Sequence, residues 1–491
     1  MGWEDPDPAE VVSLGSPSAW SKLAKRYEPN RCPRPLERCL EVVKGNGART
    51  AVIETRYIDP DYRSEFSAFF SRTFASIPDS THRIHFFSTV IDAGSLSSLT
   101  TTAINSYLGF VTIRPSPLGR VGRTMLVPPA SIQAYMSCSV LDSVHFFGQK
   151  LVVRGVPFAQ QDTQFGRCAH VAAWICHYTA VLRGDVARQP MAEFSIRADA
   201  TVSEGRPIPS QGLTGLQLSN LLQEFGLPPI VYRMGGLPTS GAEPAVPNHD
   251  PHSDPGTWDT RAIAVLCRFL NSSYPVLVGT HDHAFVIIGY ERVTTVAPNW
   301  IRFYRHDDQR GPYLAVNDVL HDVDPDTGDA HTPWQLLIAP VPAKLWLLPE
   351  AAERTGREFI LAYDDAAGLG NLRKRFADGE VSFRTIAMPS TTYKERATRR
   401  RLGASEVREI RLSRLPKLVW IVEAIDRAAR RAARPSVLAE AVFDSTSSDY
   451  DPQVLILRVP GAMLVNQTDG TLRSPIPSTS FAARSAGLSQ P

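Results

Sequence analysis

Residues 168–182, CAHVAAWICHYTAVL, are apolar nearly all the way round a helical turn. A surface helix shows a single apolar stripe, whereas a segment apolar on every side has to be enclosed by other elements. Any fold open to this chain must therefore wrap around that helix. The wrapping has to begin at Cys168, where the polar loop QQDTQFGR (160–167) gives way to the apolar run. A structural cysteine sits comfortably in mid-helix, as Cys176 does in this reading. A thiol at the helix start is different, because a helix N-terminus offers partial positive charge and free N–H groups, and both favour a thiolate.

The segments C-terminal to this helix set the fold class. LTGLQLSNLLQEFG reads as a second helix, with Thr214 as its N-cap and Gly226 as its stop. SGAEPAVPNHDPHSDPGT is a Pro-rich surface insertion. The helix DTRAIAVLCRFLNSS comes next, then the strands PVLVG, HAFVIIGY and WIRFYRHD. Helices first and a run of strands afterwards is the order of an α+β fold, not of alternating βαβ units.

A chain of 491 residues exceeds one ordinary domain, so two or three are expected. Residues 1–150 read as a mixed α/β region. Its first 45 or so are expected to be irregular, broken by Pro6, Pro8, Pro29, Pro33 and Pro35. After them come a strand at 49–58, a helix at 61–74, the strands RIHFFST and YLGFVTIRP, and a strand pair at 145–158. Residues 151–345 hold the central α+β unit, and residues 346–465 form a β-rich, basic region built on KLVWIVEAID, VLAEAVFDST and QVLILRV. The Ser/Thr/Pro-rich stretch 466–491 is expected to be a disordered tail.

Composition removes several classes. The start MGWEDPDPAE has neither a basic nor an apolar segment of the signal-peptide kind, and Pro6 breaks the myristoylation pattern that Gly2 would open. With no run of 18 apolar residues, no membrane partner is expected and a cytoplasmic location is. Six cysteines without a CxxC pair read as reduced thiols. Neither a P-loop nor a GxGxxG occurs, and no cofactor is expected. Net charge is +2, but residues 394–434 carry 13 Lys and Arg against 5 Asp and Glu. That cluster, RATRRRL and RAARRAAR included, reads as a solvated or protein-docking surface, with nucleic acid as the other option.

A nucleophilic cysteine needs a base on a separate rigid element and a group that orients the base. His283 stands at the head of the apolar strand HAFVIIGY, where an imidazole is conspicuous. Asp307 and Asp308 end the following strand, IRFYRHDD, so neighbouring strands would bring His and Asp side by side. Strand register leaves Asp308 as the alternative to Asp307. A metal set of His281, His283, His306 and Asp307 is the competing reading, but it leaves Cys168 idle. His170 and His177 read as structural or pocket-lining, and the His249/Asp250/His252/Asp254 loop as a solvated turn.

The order of Gln, Cys at a helix start, His opening an apolar strand and Asp after the next strand resembles the papain-like cysteine peptidases. Within them it is most similar to the C39-type peptidases, over roughly residues 155–340. The resemblance implies a papain-like core in which Cys168 is the nucleophile, His283 the general base and Asp307 the orienting carboxylate. It also implies an oxyanion hole made by the Cys168 backbone N–H and a Gln side chain. The family places that Gln six residues before the Cys; here Gln161 is seven before, Gln160 eight and Gln164 four, and Gln161 is the expected donor. The implied activity is hydrolysis of a peptide or isopeptide bond in a protein or peptide substrate. Acyl transfer of the transglutaminase or deamidase kind uses the same triad, and an inactive binding module would use the same fold.

Overall fold

A computed structural model describes residues 8–27, 34–115, 120–132, 135–162, 167–200, 212–234, 258–293, 300–316, 334–368, 371–399, 402–427, 436–466 and 472–477. These combine helices and antiparallel sheets in an α+β arrangement. They form two units, one within residues 1–342 and one within 343–477. Residues 267–272 group with the second unit.

The first unit opens with β1 (Ala9–Ser13), α1 (Pro17–Tyr27), α2 (Arg34–Gly45), β2 (Thr50–Tyr57), α3 (Pro60–Ala68), β3 (Thr81–Phe87), α4 (Thr101–Asn105), β4 (Tyr107–Ile113) and β5 (Val121–Leu126). The expectation that the first 45 residues are irregular is therefore overturned by β1, α1 and α2. The reason lies in where the prolines fall. Pro17 and Pro35 sit in the first turns of their helices, where the missing N–H has no acceptor to lose. The helix α3 is set by Asp59, whose side chain accepts from the N–H groups of Asp61 and Tyr62 at 3.1 Å each.

After β5 come the hairpin β6 (Val140–Phe146) and β7 (Gln149–Gly155), then the short strand β8 (Pro157–Phe158). Position 150 thus lies within β7. The hairpin alternates strictly, with Val140, Val144, Phe146, Leu151 and Val153 joining Phe87, Phe110 and Met125 in one core. The first sheet has the order β1-β2-β3-β4-β5-β8. Its last member is the segment that leads to Cys168.

The all-round apolar stretch is the helix α5 (Cys168–Leu182), buried along most of its length. Around it lie α6 (Met191–Ala200) and α7 (Gly215–Glu224), and beneath it two strands of the second sheet, β10 (Val276–Gly279) and β11 (Ala284–Val293). In α7, Thr214 Oγ1 accepts from the Gln217 N–H at 3.2 Å, and Gln217 Oε1 accepts from the Thr214 N–H at 2.9 Å. Gly226 then ends the helix at φ +81°. The chain continues through β9 (Pro229–Arg233) and α8 (Trp258–Asn271) into β10 and β11, then β12 (Trp300–Asp307), β13 (Gly311–Val316) and β14 (Leu336–Pro340). The second sheet is antiparallel in the order β13-β12-β11-β10-β14-β9. The Pro-rich insertion at 240–257 falls outside the described residues.

The second unit holds α9 (Pro349–Ala367), α10 (Leu372–Ala377), β15 (Val381–Pro389), α11 (Ser390–Arg399), α12 (Ala404–Leu412), β16 (Leu418–Asp426), β17 (Val437–Asp444), β18 (Val454–Val459), β19 (Ala462–Asn466) and β20 (Leu472–Pro477). Its six strands form one antiparallel meander in sequence order. Alternation along β16 separates two faces: Val419 and Ile421 pack with Tyr393, Ala397 and Ile410 of α11 and α12, while Val422 lies against Gly356 of α9. Residues 472–477, expected within a disordered tail, pair with β19 instead.

Candidate catalytic site in the first unit

Three segments bring the expected residues together. Antiparallel pairing of β11 with β12 sets Val286 opposite His306, so His283, just before β11, and Asp307, the last residue of β12, end up side by side. His283 Nε2 lies 3.1 Å from Asp307 Oδ1 and 3.9 Å from Asp308 Oδ1. Asp307 is thus the carboxylate that hydrogen-bonds the ring. Cys168, at the first position of α5, hydrogen-bonds His283 through its side chain. The side-chain amide of Gln309 approaches His283 Nδ1 at 3.4 Å.

The charges are strongly biased. Burial opposes a charge on His283, but the hydrogen bonds to Asp307 and Cys168 and the charges of both aspartates outweigh it and push the ring up to about 11. Asp307 is likewise opposed by burial, and the bond to His283, the nearby Arg305 and the Gln309 N–H hold it well below the usual carboxylate range. The Gln309 N–H donates to Asp307 Oδ1 at 3.0 Å, and Arg305 Nε lies 3.6 Å from Oδ2. Asp308 is the opposite case. It is 2% exposed, and burial with the Asp307 charge raises it to about 7, partly offset by His283 and by the Gln161 backbone N–H. The two neighbouring carboxyls are therefore pushed in opposite directions, Asp308 up and Asp307 down.

Gln161 and Gln160, one residue apart, are used differently. Gln160 turns its side chain back onto the backbone, its Oε1 accepting from the Val121 N–H at 3.1 Å. Gln161 is buried beside Asp308 and remains the oxyanion candidate of the two. Gln164 lies outside the described residues. The other imidazoles serve structure. His170 Nδ1 accepts from the Arg167 N–H at 3.2 Å, and His177 packs edge-on against Phe194 and Phe225. His306 donates from Nδ1 to the Pro157 carbonyl at 3.0 Å and packs edge-on to Tyr313 and Phe158, and its ligand atoms do not group with those of His283. His281 is exposed.

The turn that carries the aspartates is braced from outside the second sheet. Arg38 of α2 donates from Nε to the Pro312 carbonyl at 3.1 Å and from Nη2 to the Tyr313 carbonyl at 3.0 Å. Gly311 faces Arg38 so closely that a Cβ there would fall 2.5 Å from Arg38 Cβ. Tyr313 holds a positive φ of 56°, and its buried hydroxyl donates to Leu126 O at 2.8 Å and accepts from the Val156 N–H at 3.1 Å. Arg38, Arg305, Gln309 and Tyr313 were not among the expected site residues. Only the turn signature DDQRG pointed near them.

Among the described residues, His283, Asp307 and Asp308 have ligand atoms within 4.8 Å of one another, a set able to take a metal ion. No described helix is long and apolar enough to cross a membrane. In the second unit part of the basic cluster is bonded internally. Arg396 and Arg384 pair with the buried Glu423, and Lys394 Nζ donates to the Arg411 and Ser413 carbonyls at the end of α12. Arg399, Arg408, Arg411, Arg414 and Lys417 line the rest of it, all five exposed, and most of RAARRAAR falls outside the described residues. No family model matches this chain, and no curated protein matches it significantly.

Proposed function

We propose that the first unit is a papain-like cysteine hydrolase related to the C39-type peptidases, acting on a peptide, isopeptide or side-chain amide carbonyl. The observation that carries this reading is the line from the Cys168 thiol to His283 and on to Asp307, with the thiol at a helix start. A protonated His283 beside sulfur is the partner a thiolate needs, and Asp307 fixes its tautomer and tilt. The sulfur attacks the carbonyl carbon. Electrons move onto oxygen, where the Cys168 N–H and the Gln161 amide would donate to the oxyanion. Collapse breaks the C–N bond, and His283 gives its proton to the leaving amine. Neutral His283 then takes a proton from water as that water attacks the thioester, which releases the acid and regenerates the thiol–imidazole pair.

An amine in place of water makes the same site an acyl transferase. The metal reading is disfavoured by Arg305, a fixed cation 3.6 Å from Asp307 that would repel a second one. Competitive alkylation at neutral pH, with every cysteine mapped by mass spectrometry, tests the proposal on wild type and His283→Ala. Cys39, Cys138 and Cys176 are buried, and Cys267 is half-buried like Cys168, so Cys267 is the internal control. The expected result is Cys168 reacting at least about tenfold faster than Cys267 and losing that advantage without His283. Equal rates, or indifference to His283, would sink the hydrolase reading.

A further inference from the structure

The peptide unit that joins Gln160 to Gln161 is gripped at its carbonyl by a buried charged group. On its carbonyl side, Arg114 Nη2 donates to Gln160 O at 2.7 Å. Gln161 itself is buried. A trans peptide is planar, so a bond at its carbonyl oxygen restrains the plane in which the Gln161 N–Cα bond lies.

Arg114 is held for this task. It is 2% exposed, and its Nη1 lies 3.3 and 3.2 Å from the two oxygens of Glu65 on α3. Burial lifts Glu65 to about 7 even beside the guanidinium, which shows how dry this pocket is. The side chain runs past Gly122, where an added Cβ would stand 3.2 Å from Arg114 Cγ and 3.5 Å from Cδ. Glycine there leaves the lane open. The neighbouring seam between β5 and β8 does not need Arg114. Thr124 pairs with Phe158 and Met125 with Pro157, and the Gln160 N–H donates to Val121 O at 2.9 Å. A buried Arg–Glu pair is seldom worth more than an apolar replacement of the same shape. Sheet stability alone gives no reason for this one.

We propose that Arg114, seated on Glu65, is a positioning residue that orients the Gln160–Gln161 peptide and thereby aims the Gln161 side chain at the oxyanion. The inference rests on the hydrolase reading above, and its test separates the two. Alkylation by iodoacetamide displaces iodide at a saturated carbon and makes no oxyanion, so it reports only on the Cys168–His283 pair. Acylation by p-nitrophenyl acetate forms the S–C bond through a tetrahedral oxyanion and expels p-nitrophenolate, so it also reports on the hole.

With the full-length chain, Gln161→Ala is expected to slow acylation of Cys168 by about a hundredfold and leave its alkylation unchanged. Arg114→Met is expected to slow acylation by about tenfold, also without affecting alkylation, and Arg114→Lys to restore part of the loss. Adding Arg114→Met to Gln161→Ala is expected to cost nothing further, because residues acting as one unit are not additive. If Arg114→Met does not fold, Gly122→Ala, which displaces the guanidinium and keeps every charge, decides the matter by the same pair of assays. Full additivity, or an equal fall in alkylation, would make Arg114 a stability residue and overturn the proposal. Unchanged acylation in the single variant would overturn it too. If wild-type Cys168 is not the fast cysteine, it is the hydrolase reading that has failed.

Discussion

Replacing Asp307 by Asn tests which of two adjacent carboxylates governs the imidazole. Asn keeps the shape of the turn and can still accept the Gln309 N–H now bound at 3.0 Å. The substitution removes the negative charge that His283 Nε2 meets at 3.1 Å. A hydrogen bond between charged partners contributes about 1.5–3 kcal/mol, and one pKa unit is about 1.36 kcal/mol. His283, raised to about 11 in the wild type, should therefore fall by at least about one to two units in Asp307→Asn. Asp308→Asn should lower it less. Asp308 lies 3.9 Å from the ring, and burial raises its carboxyl to about 7. The assay is an NMR titration of ¹³Cε1-labelled histidine, assigned with His283→Ala. A larger fall in Asp308→Asn than in Asp307→Asn, or no fall in either, would refute this account of the triad.

The same pair of shifts fixes the sign of a stability effect. The raised value on His283 stabilises the fold fully below its ordinary 6.5, and the contribution is lost as pH climbs through about 11. The depressed value on Asp307 stabilises above its ordinary 3.8 and is lost as pH falls further. The stability gap between wild type and Asp307→Asn should thus be widest between about pH 4 and pH 6.5, closing on the acid side and shrinking steadily on the alkaline side. Urea denaturation of both proteins across that range checks it, and a gap that widens toward alkaline pH would contradict the signs given.

Two further outcomes concern packing. Tyr313→Phe strands the Leu126 carbonyl and the Val156 N–H in a dry interior, so urea denaturation should show a loss of about 2–4 kcal/mol, and a loss under about 0.5 kcal/mol would contradict the hydrogen bonding described. Gly356→Ala places a Cβ 2.8 Å from both Cβ and Cγ2 of Val422, and overpacking between α9 and its sheet should lower stability by about 1–3 kcal/mol; a neutral result would show that the helix shifts freely.

The candidate site was easier to read than its scaffolding. Cys168 announced itself by standing where a polar loop meets an enclosed helix, and His283 by being polar at the head of an apolar strand. Thr214 and Gly226 marked α7 correctly because cap residues act through the bonds of their own turn. Pro35 misled because a proline breaks a helix interior but suits a first turn, and composition alone does not separate the two. Spacing alone gave Gln161 a margin of one residue over Gln160. Only the Val121 N–H, far away in the sequence, shows that Gln160 is occupied. Arg114, Glu65 and Tyr313 carried no local signal at all, since the groups they hold lie 46 to 187 residues away along the chain.

That last separation bears on how the protein comes to be folded. Tyr313 reaches back 157 residues to Val156 and 187 to Leu126 with a single hydroxyl, and β8 pairs with β5 in the first sheet. Contacts of such range close late, after the loop entropy of the intervening chain has been overcome, and topologies rich in them fold slowly. During synthesis the helix bearing the thiol emerges well before the strands that bear His283 and Asp307. The nascent chain therefore carries an isolated cysteine without its imidazole until the second sheet is made. Reactivity at Cys168 should consequently rise together with the last step of refolding, which makes the thiol a native reporter of completed assembly.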